Sequence, residues 1–130
     1  MHQEESDLKN AMVLDSGSSV DLMCNPDFLQ DITISPSPCT LQTNGGQVQV
    51  VQQGVLPNYG PVPFHEDAVT NLMSLAKLTD KHRVTFDSAV DNAFYVHAPN
   101  KTVRFGRNSS DLYCVPTHRL NYVRSMLPPR

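Results

Sequence analysis

Met12-Val13-Leu14-Asp15-Ser16-Gly17-Ser18-Ser19 is the stretch on which the reading of this chain turns. The run from Met12 to Leu14 is short, apolar and bounded by turn formers, which predicts a buried strand. That strand delivers one acid, Asp15, into a loop of small residues. A carboxylate at the end of a rigid strand, inside a hydrogen-bonded loop, can be held at the geometry that acid–base chemistry requires. Gly17 lets the backbone turn sharply and approach a second copy of itself. The Ser16 and Ser18 hydroxyls can bond a carboxylate or its neighbours. The same tripeptide, Asp15-Ser16-Gly17, also suits a plain turn between two strands. The downstream segments of the chain favour the reactive loop.

Length and composition set the limits. At 130 residues the chain makes one domain with a real core and is too short for two. Valine and the aromatics fall in short clusters, separated by Asn, Asp, Gly and the 10 prolines, which predicts an all-β fold. A formal charge of −3 argues against a general nucleic-acid binder, and no run reaches the ~18 apolar residues of a membrane span. The polar, acidic stretch Met1 to Asn10 does not resemble a secretory leader, so a cytoplasmic location is expected. Without an export signal, the glycosylation-type triplets Asn100-Lys101-Thr102 and Asn108-Ser109-Ser110 carry no weight.

Cys24, Cys39 and Cys114 are widely spaced and show no Cys-x-x-Cys or Cys/His ligand pattern. They read as buried thiols in a reducing compartment. The five histidines are scattered, and nothing local supports a Cys–His nucleophile. No metal site and no cofactor are expected.

Residues 1–10 read as a flexible arm, and residues 117–130, with Arg and Pro but no clear period, as a tail or linker. Between them, Val20 to Cys24 is a candidate strand, and Pro26 to Gln30 a single helical turn opened by Asn25. Ile32 and Ile34 alternate until Pro36 and Pro38, which are expected to stop the strand. Cys39 to Thr43 and Gln47 to Gln52 form a hairpin around Asn44-Gly45-Gly46, since Asn-Gly is a strong hairpin-turn signal. Two adjacent glycines make its tip a candidate mobile flap. Short strands come next at Val55-Leu56 and Val62 to Phe64. The stretch Ala68 to Lys81 is the only candidate helix, with Leu72, Leu75, Ala76 and Leu78 on its apolar face. Alternation then resumes at Val84 and Phe86, Phe94 and Val96, Val103 and Phe105, and Leu112-Tyr113, as the closing strands of a barrel or sandwich.

In this order the segments resemble the protease region of copia-type retrotransposon Pol polyproteins. Val13-Leu14-Asp15-Ser16-Gly17-Ser18 is similar to that family's catalytic loop, and Leu41-Gln42-Thr43-Asn44-Gly45-Gly46 to its flap. Gly60-Pro61-Val62-Pro63-Phe64, Thr70-Asn71-Leu72-Met73-Ser74-Leu75-Ala76-Lys77-Leu78, Arg83-Val84-Thr85-Phe86-Asp87 and Asp111-Leu112-Tyr113 complete the series. The resemblance covers residues 11–116. It implies a small closed β-barrel of the retropepsin type with one short helix. It departs from the wider retropepsins at Ser74, where they carry Gly, and at Ser16, where retroviral enzymes carry Thr.

The function so implied is an aspartic endopeptidase that processes a Gag–Pol polyprotein as a symmetric homodimer, inside a virus-like particle. Asp15 is the catalytic acid, Ser16, Gly17 and Ser18 support its loop, and Asn44, Gly45 and Gly46 form the flap. The substrate is a polyprotein peptide, and this domain touches neither nucleic acid nor membrane. Two carboxylates sharing a proton are needed, and the chain has one Asp-Ser-Gly loop, so the second acid comes from a symmetry mate. Asp21, Asp27 and Asp31 lack the apolar strand and the glycine, and read as surface or capping residues. The rival expectation is a catalytically inactive β-barrel remnant serving as a structural or interaction module. A degron built on Asp15-Ser16-Gly17 fails, because Val20 stands where a second Ser is needed.

Overall fold

A computed structural model describes residues 9–43 and 46–115. It is mostly β, with one short α-helix. The strands are β1 (Met12–Asp15), β2 (Gln30–Thr43), β3 (Gly46–Leu56), β4 (Gly60–Phe64), β5 (Asn71–Ser74), β6 (Arg83–Asp87), β7 (Asp91–His97), β8 (Thr102–Arg107) and β9 (Tyr113–Val115). The helix, α1, is Leu75–Lys81, and a single 3-10 turn spans Pro26–Phe28. Residues 1–8 and 116–130, which take in most of the expected arm and all of the expected tail, lie outside the described residues.

Two sheets form. The larger is curled and runs β5-β1-β9-β8-β7-β6, and the smaller runs β2-β3-β4. The segment at Leu22 and Met23 stitches them together. Leu22 and Leu72 exchange both backbone hydrogen bonds, at 3.0 and 2.7 Å. Met23 N–H donates to Pro63 O, and His65 N–H to Met23 O, both at 2.9 Å. These isolated bridges replace the strand expected over Val20 to Cys24.

β1 lies at the centre of this arrangement. It pairs parallel with β5 (Val13 opposite Leu72, Asp15 opposite Ser74) and antiparallel with β9 (Val13 opposite Cys114). Period-2 alternation sends Met12 and Leu14 into the core, where Met23, Met73, Phe105 and Val115 meet them. Each such side chain contributes roughly 1.5–3 kcal/mol on burial. At one end of the core, Phe94 stacks between Phe86 and Tyr113, with centroids 4.5 and 4.9 Å away.

Two sequence expectations are corrected. The candidate helix Ala68 to Lys81 is only half helical: Asn71–Ser74 is strand, and α1 begins at Leu75. Pairing with β1 overrides the helical spacing of the leucines. Pro36 and Pro38 do not stop a strand. β2 runs through them with a register shift between Ile34, opposite Gln52, and Cys39, opposite Val50. The shift puts four residues of β2, 35–38, against one of β3, a bulge of the kind that accommodates proline on an edge strand.

Candidate functional site

Asp15 ends β1 and is half-buried. Its Oδ1 accepts the Gly17 N–H at 2.8 Å, which closes a tight Asx-type loop. Ser18 does not bond the carboxylate. Its hydroxyl donates to Val20 O (2.6 Å) and accepts from Val20 N–H (3.2 Å), folding the next turn of the loop. Ser16 is exposed. Gly17 has no positive φ, so the sharp-turn argument for glycine does not hold there. A Cβ at Gly17 would lie 3.5 Å from Asp15 Oδ1, an ordinary contact.

The loop faces the β2–β3 hairpin across an open cleft of about 490 Å³. Asp15, Gly17 and Ser18 line one side, and Thr40, Leu41 and Gln42 of β2 the other. Val20, Leu22 and Leu72 supply apolar walls, and Asp15 is the only ionisable group among the described residues of the lining. The hairpin pairs up to Thr43 opposite Gly46, which has φ +110°. Asn44 and Gly45, the other two flap residues, lie outside the described residues. The cleft thus unites the Asp15 loop with the hairpin arm but leaves Ser16 off its walls.

Behind the loop lies a buried polar frame that the sequence did not reveal. Asp21, expected at the surface, is 3% exposed. Its Oδ1 accepts the Ser74 N–H (2.7 Å) and its Oδ2 the Tyr59 hydroxyl (2.6 Å). Burial, followed by the bond to Asp21, pushes the Tyr59 phenol above its ordinary range. Ser74 Oγ donates to Ser18 O (2.7 Å) and accepts the Lys77 N–H (3.2 Å), so one hydroxyl caps α1 and pins the Asp15 loop.

Asn71, fully buried, completes the frame. Its Oδ1 accepts from Cys24 N–H (2.9 Å) and Asn25 N–H (3.0 Å). Its Nδ2 donates to Lys9 O and Ala11 O, both at 2.9 Å. One amide side chain therefore ties the start of β1 to the chain leaving the loop. Asp27 and Asp31 are exposed, as expected. The signal that could have found Ser74 was its place before an apolar helical run, the usual position of an N-cap.

Cys24 and Cys114 are buried, Cys39 is half-buried, and none of the three forms a disulfide. Desolvation raises the Cys24 thiol, which disfavours the reactive thiolate. Among the described residues, no group of three or more His, Cys, Asp or Glu could hold a metal ion. No helix among them is long and apolar enough to cross a membrane. Compared with protein families, curated proteins and solved structures, the chain matches none.

Proposed function

We propose that the chain is an aspartic endopeptidase of a copia-type retrotransposon, acting as a symmetric homodimer on Gag–Pol polyprotein in the cytoplasm or in a virus-like particle. The observation that carries this reading is the cleft itself. A lone carboxylate, Asp15, ends a central strand and faces a hairpin over apolar walls. An extended peptide laid along β2 would present its backbone to that carboxylate, with side chains against Val20, Leu41 and Leu72.

Peptide hydrolysis by this route needs a second carboxylate sharing one proton with the first. The chain offers a single Asp-Ser-Gly loop, so the reading requires two copies meeting at Gly17, with the curled sheet and the hairpin sheet as one retropepsin-type barrel per copy. Gly17 suits that contact. It is exposed and, among the described residues, nothing demands that it be glycine, whereas a two-fold axis passing nearby would leave no room for a Cβ.

The test is cleavage of an upstream Gag–protease fragment by wild type and Asp15→Asn, with association followed by sedimentation. The variant should stay folded and cut nothing, because the amide keeps the Gly17 hydrogen bond but cannot serve as base. Cleavage by Asp15→Asn at the wild-type rate would end the proposal. A wild type that neither cuts nor dimerises would put the inactive barrel module in its place.

A further inference from the structure

The bulge in β2 carries Ser35-Pro36-Ser37-Pro38, and nothing in the protease reading uses it. We propose that Ser37 is a phosphorylation site for a proline-directed serine/threonine protein kinase.

Only two of the chain's 10 prolines follow a Ser or Thr, and both fall in this bulge. Each proline fixes its own φ and drives the serine before it into extended backbone. That is the shape in which a peptide crosses a kinase cleft. Four residues here face one on β3, so the segment leaves the regular ladder. It also lies on an edge strand, since β2 has β3 as its one neighbour in the sheet.

The two serines are not equivalent. Ser35 is half-buried, and its Oγ accepts the Ser37 N–H at 3.0 Å. Ser37, Pro36 and Pro38 are exposed. Ser37 therefore has the accessible hydroxyl with proline directly after it. Edge protection against strand pairing accounts for the prolines alone. It does not account for a serine before each of them.

In the reaction, Ser37 Oγ attacks the γ-phosphorus of ATP. The new O–P bond forms as the β,γ-bridging P–O bond breaks, ADP leaves, and the hydroxyl proton passes to the kinase's base. The product carries close to two negative charges at neutral pH. They add to a chain already at formal −3. The phosphate sits three residues before Thr40, where β2 reaches the Asp15 cleft. The open hollow that Ser35 and Ser37 line with the Gln52 and Gln53 amides holds, among the described residues, no cation, so the phosphate would be stabilised by water rather than by an ion pair. Phosphorylation at this bulge does not depend on whether the cleft cuts peptides.

The experiment incubates the folded full chain with ATP and a purified mitogen-activated protein kinase, an enzyme that requires proline after its serine. Phosphate is located by mass spectrometry, and a peptide spanning residues 30–43 serves as the unfolded reference. The folded chain should take one phosphate, on Ser37, at a rate comparable to the peptide. Ser37→Ala and Pro38→Ala should abolish incorporation, Ser35→Ala should retain it, and Ser37→Thr should move it to threonine. Labelling of the peptide with a refractory folded chain would overturn the proposal, as would phosphate on Ser35 or undiminished labelling of Pro38→Ala.

Discussion

Replacing Asn71 by alanine removes the side chain that fastens both ends of the Asp15 loop, and its cost can be worked from four bonds. Two of them, to Cys24 N–H and Ala11 O, are buried, so each orphaned group costs about 1–3 kcal/mol. The other two, to Asn25 N–H and Lys9 O, are partly open to water, and each loses about 0.5–1 kcal/mol. The sum is about 3–8 kcal/mol, a large part of the roughly 5–15 kcal/mol that holds a small domain together. Urea unfolding reads this directly: at a slope of about 2 kcal/mol per molar, the midpoint should fall by about 1.5–4 M. Asn71→Asp separates donor from acceptor. It keeps the bonds from Cys24 and Asn25, but sets a second oxygen against the Lys9 and Ala11 carbonyls. It should be nearly as unstable as the alanine variant at neutral pH and recover part of the loss in acid, where a protonated carboxyl donates again. A loss below about 1 kcal/mol for Asn71→Ala, with the slope unchanged, would refute the reasoning.

Gly17→Ala should leave the single chain as stable or raise it by about 0.4–1 kcal/mol, because its φ suits alanine. The same variant should lose dimerisation and peptide cleavage together; a dimer by sedimentation would contradict that. Two hydrogen bonds from Arg104, and then one from the Tyr95 hydroxyl, hold the Asp91 carboxyl well below the usual range. A depressed folded-state pKa stabilises above the unfolded value, so this contribution is present at neutral pH and drains away as pH falls below about 4. Asp91→Asn should flatten the acid limb of a stability profile taken by urea unfolding; an unaltered limb would show that the pair does not contribute. Tyr59 is raised, so the unfolded chain ionises first and stability falls above about pH 10. Tyr59→Phe should remove that alkaline limb and, through the lost Asp21 bond, cost about 1–3 kcal/mol at neutral pH in thermal unfolding.

The strands were legible where the pleat wrote them. Alternation at Val84 and Phe86, Phe94 and Val96, and Val103 and Phe105 marks β6, β7 and β8, and their inward members meet in one core. The turn opened by Asn25 was equally plain, since its side chain accepts the Asp27 N–H as a cap should. β5 was not legible, because Leu72, Leu75, Ala76 and Leu78 follow a helical spacing and the distant β1 and Leu22 make a strand of residues 71–74. The continuity of β2 was hidden by a rule that holds for central strands, while β2 lies at an edge where proline is tolerated. Asp15 could be singled out from its apolar approach only together with the order of the segments downstream. Asp21 could not. An acid between Val20 and Leu22 looks solvated until Tyr59 and Ser74, 38 and 53 positions away, come to surround it.

The double pairing of β1 also fixes when the site can exist. The strand that carries Asp15 leaves the ribosome well before either of its two neighbours. β5 is some sixty residues downstream, and β9 comes after it at Tyr113–Val115. Until those arrive, β1 has no strand on either side, although Met23 and Phe64 can already meet Met12 and Leu14, and closing so long a loop is slow. A nascent chain therefore carries Asp15 on a strand that lacks one or both neighbours until about a hundred further residues have been made. The strand that carries Asp15 is flanked on both sides only once Asn71–Ser74 and Tyr113–Val115 have joined it, so the rigidity of the Asp15 loop is set by strand contacts that are all distant in the chain.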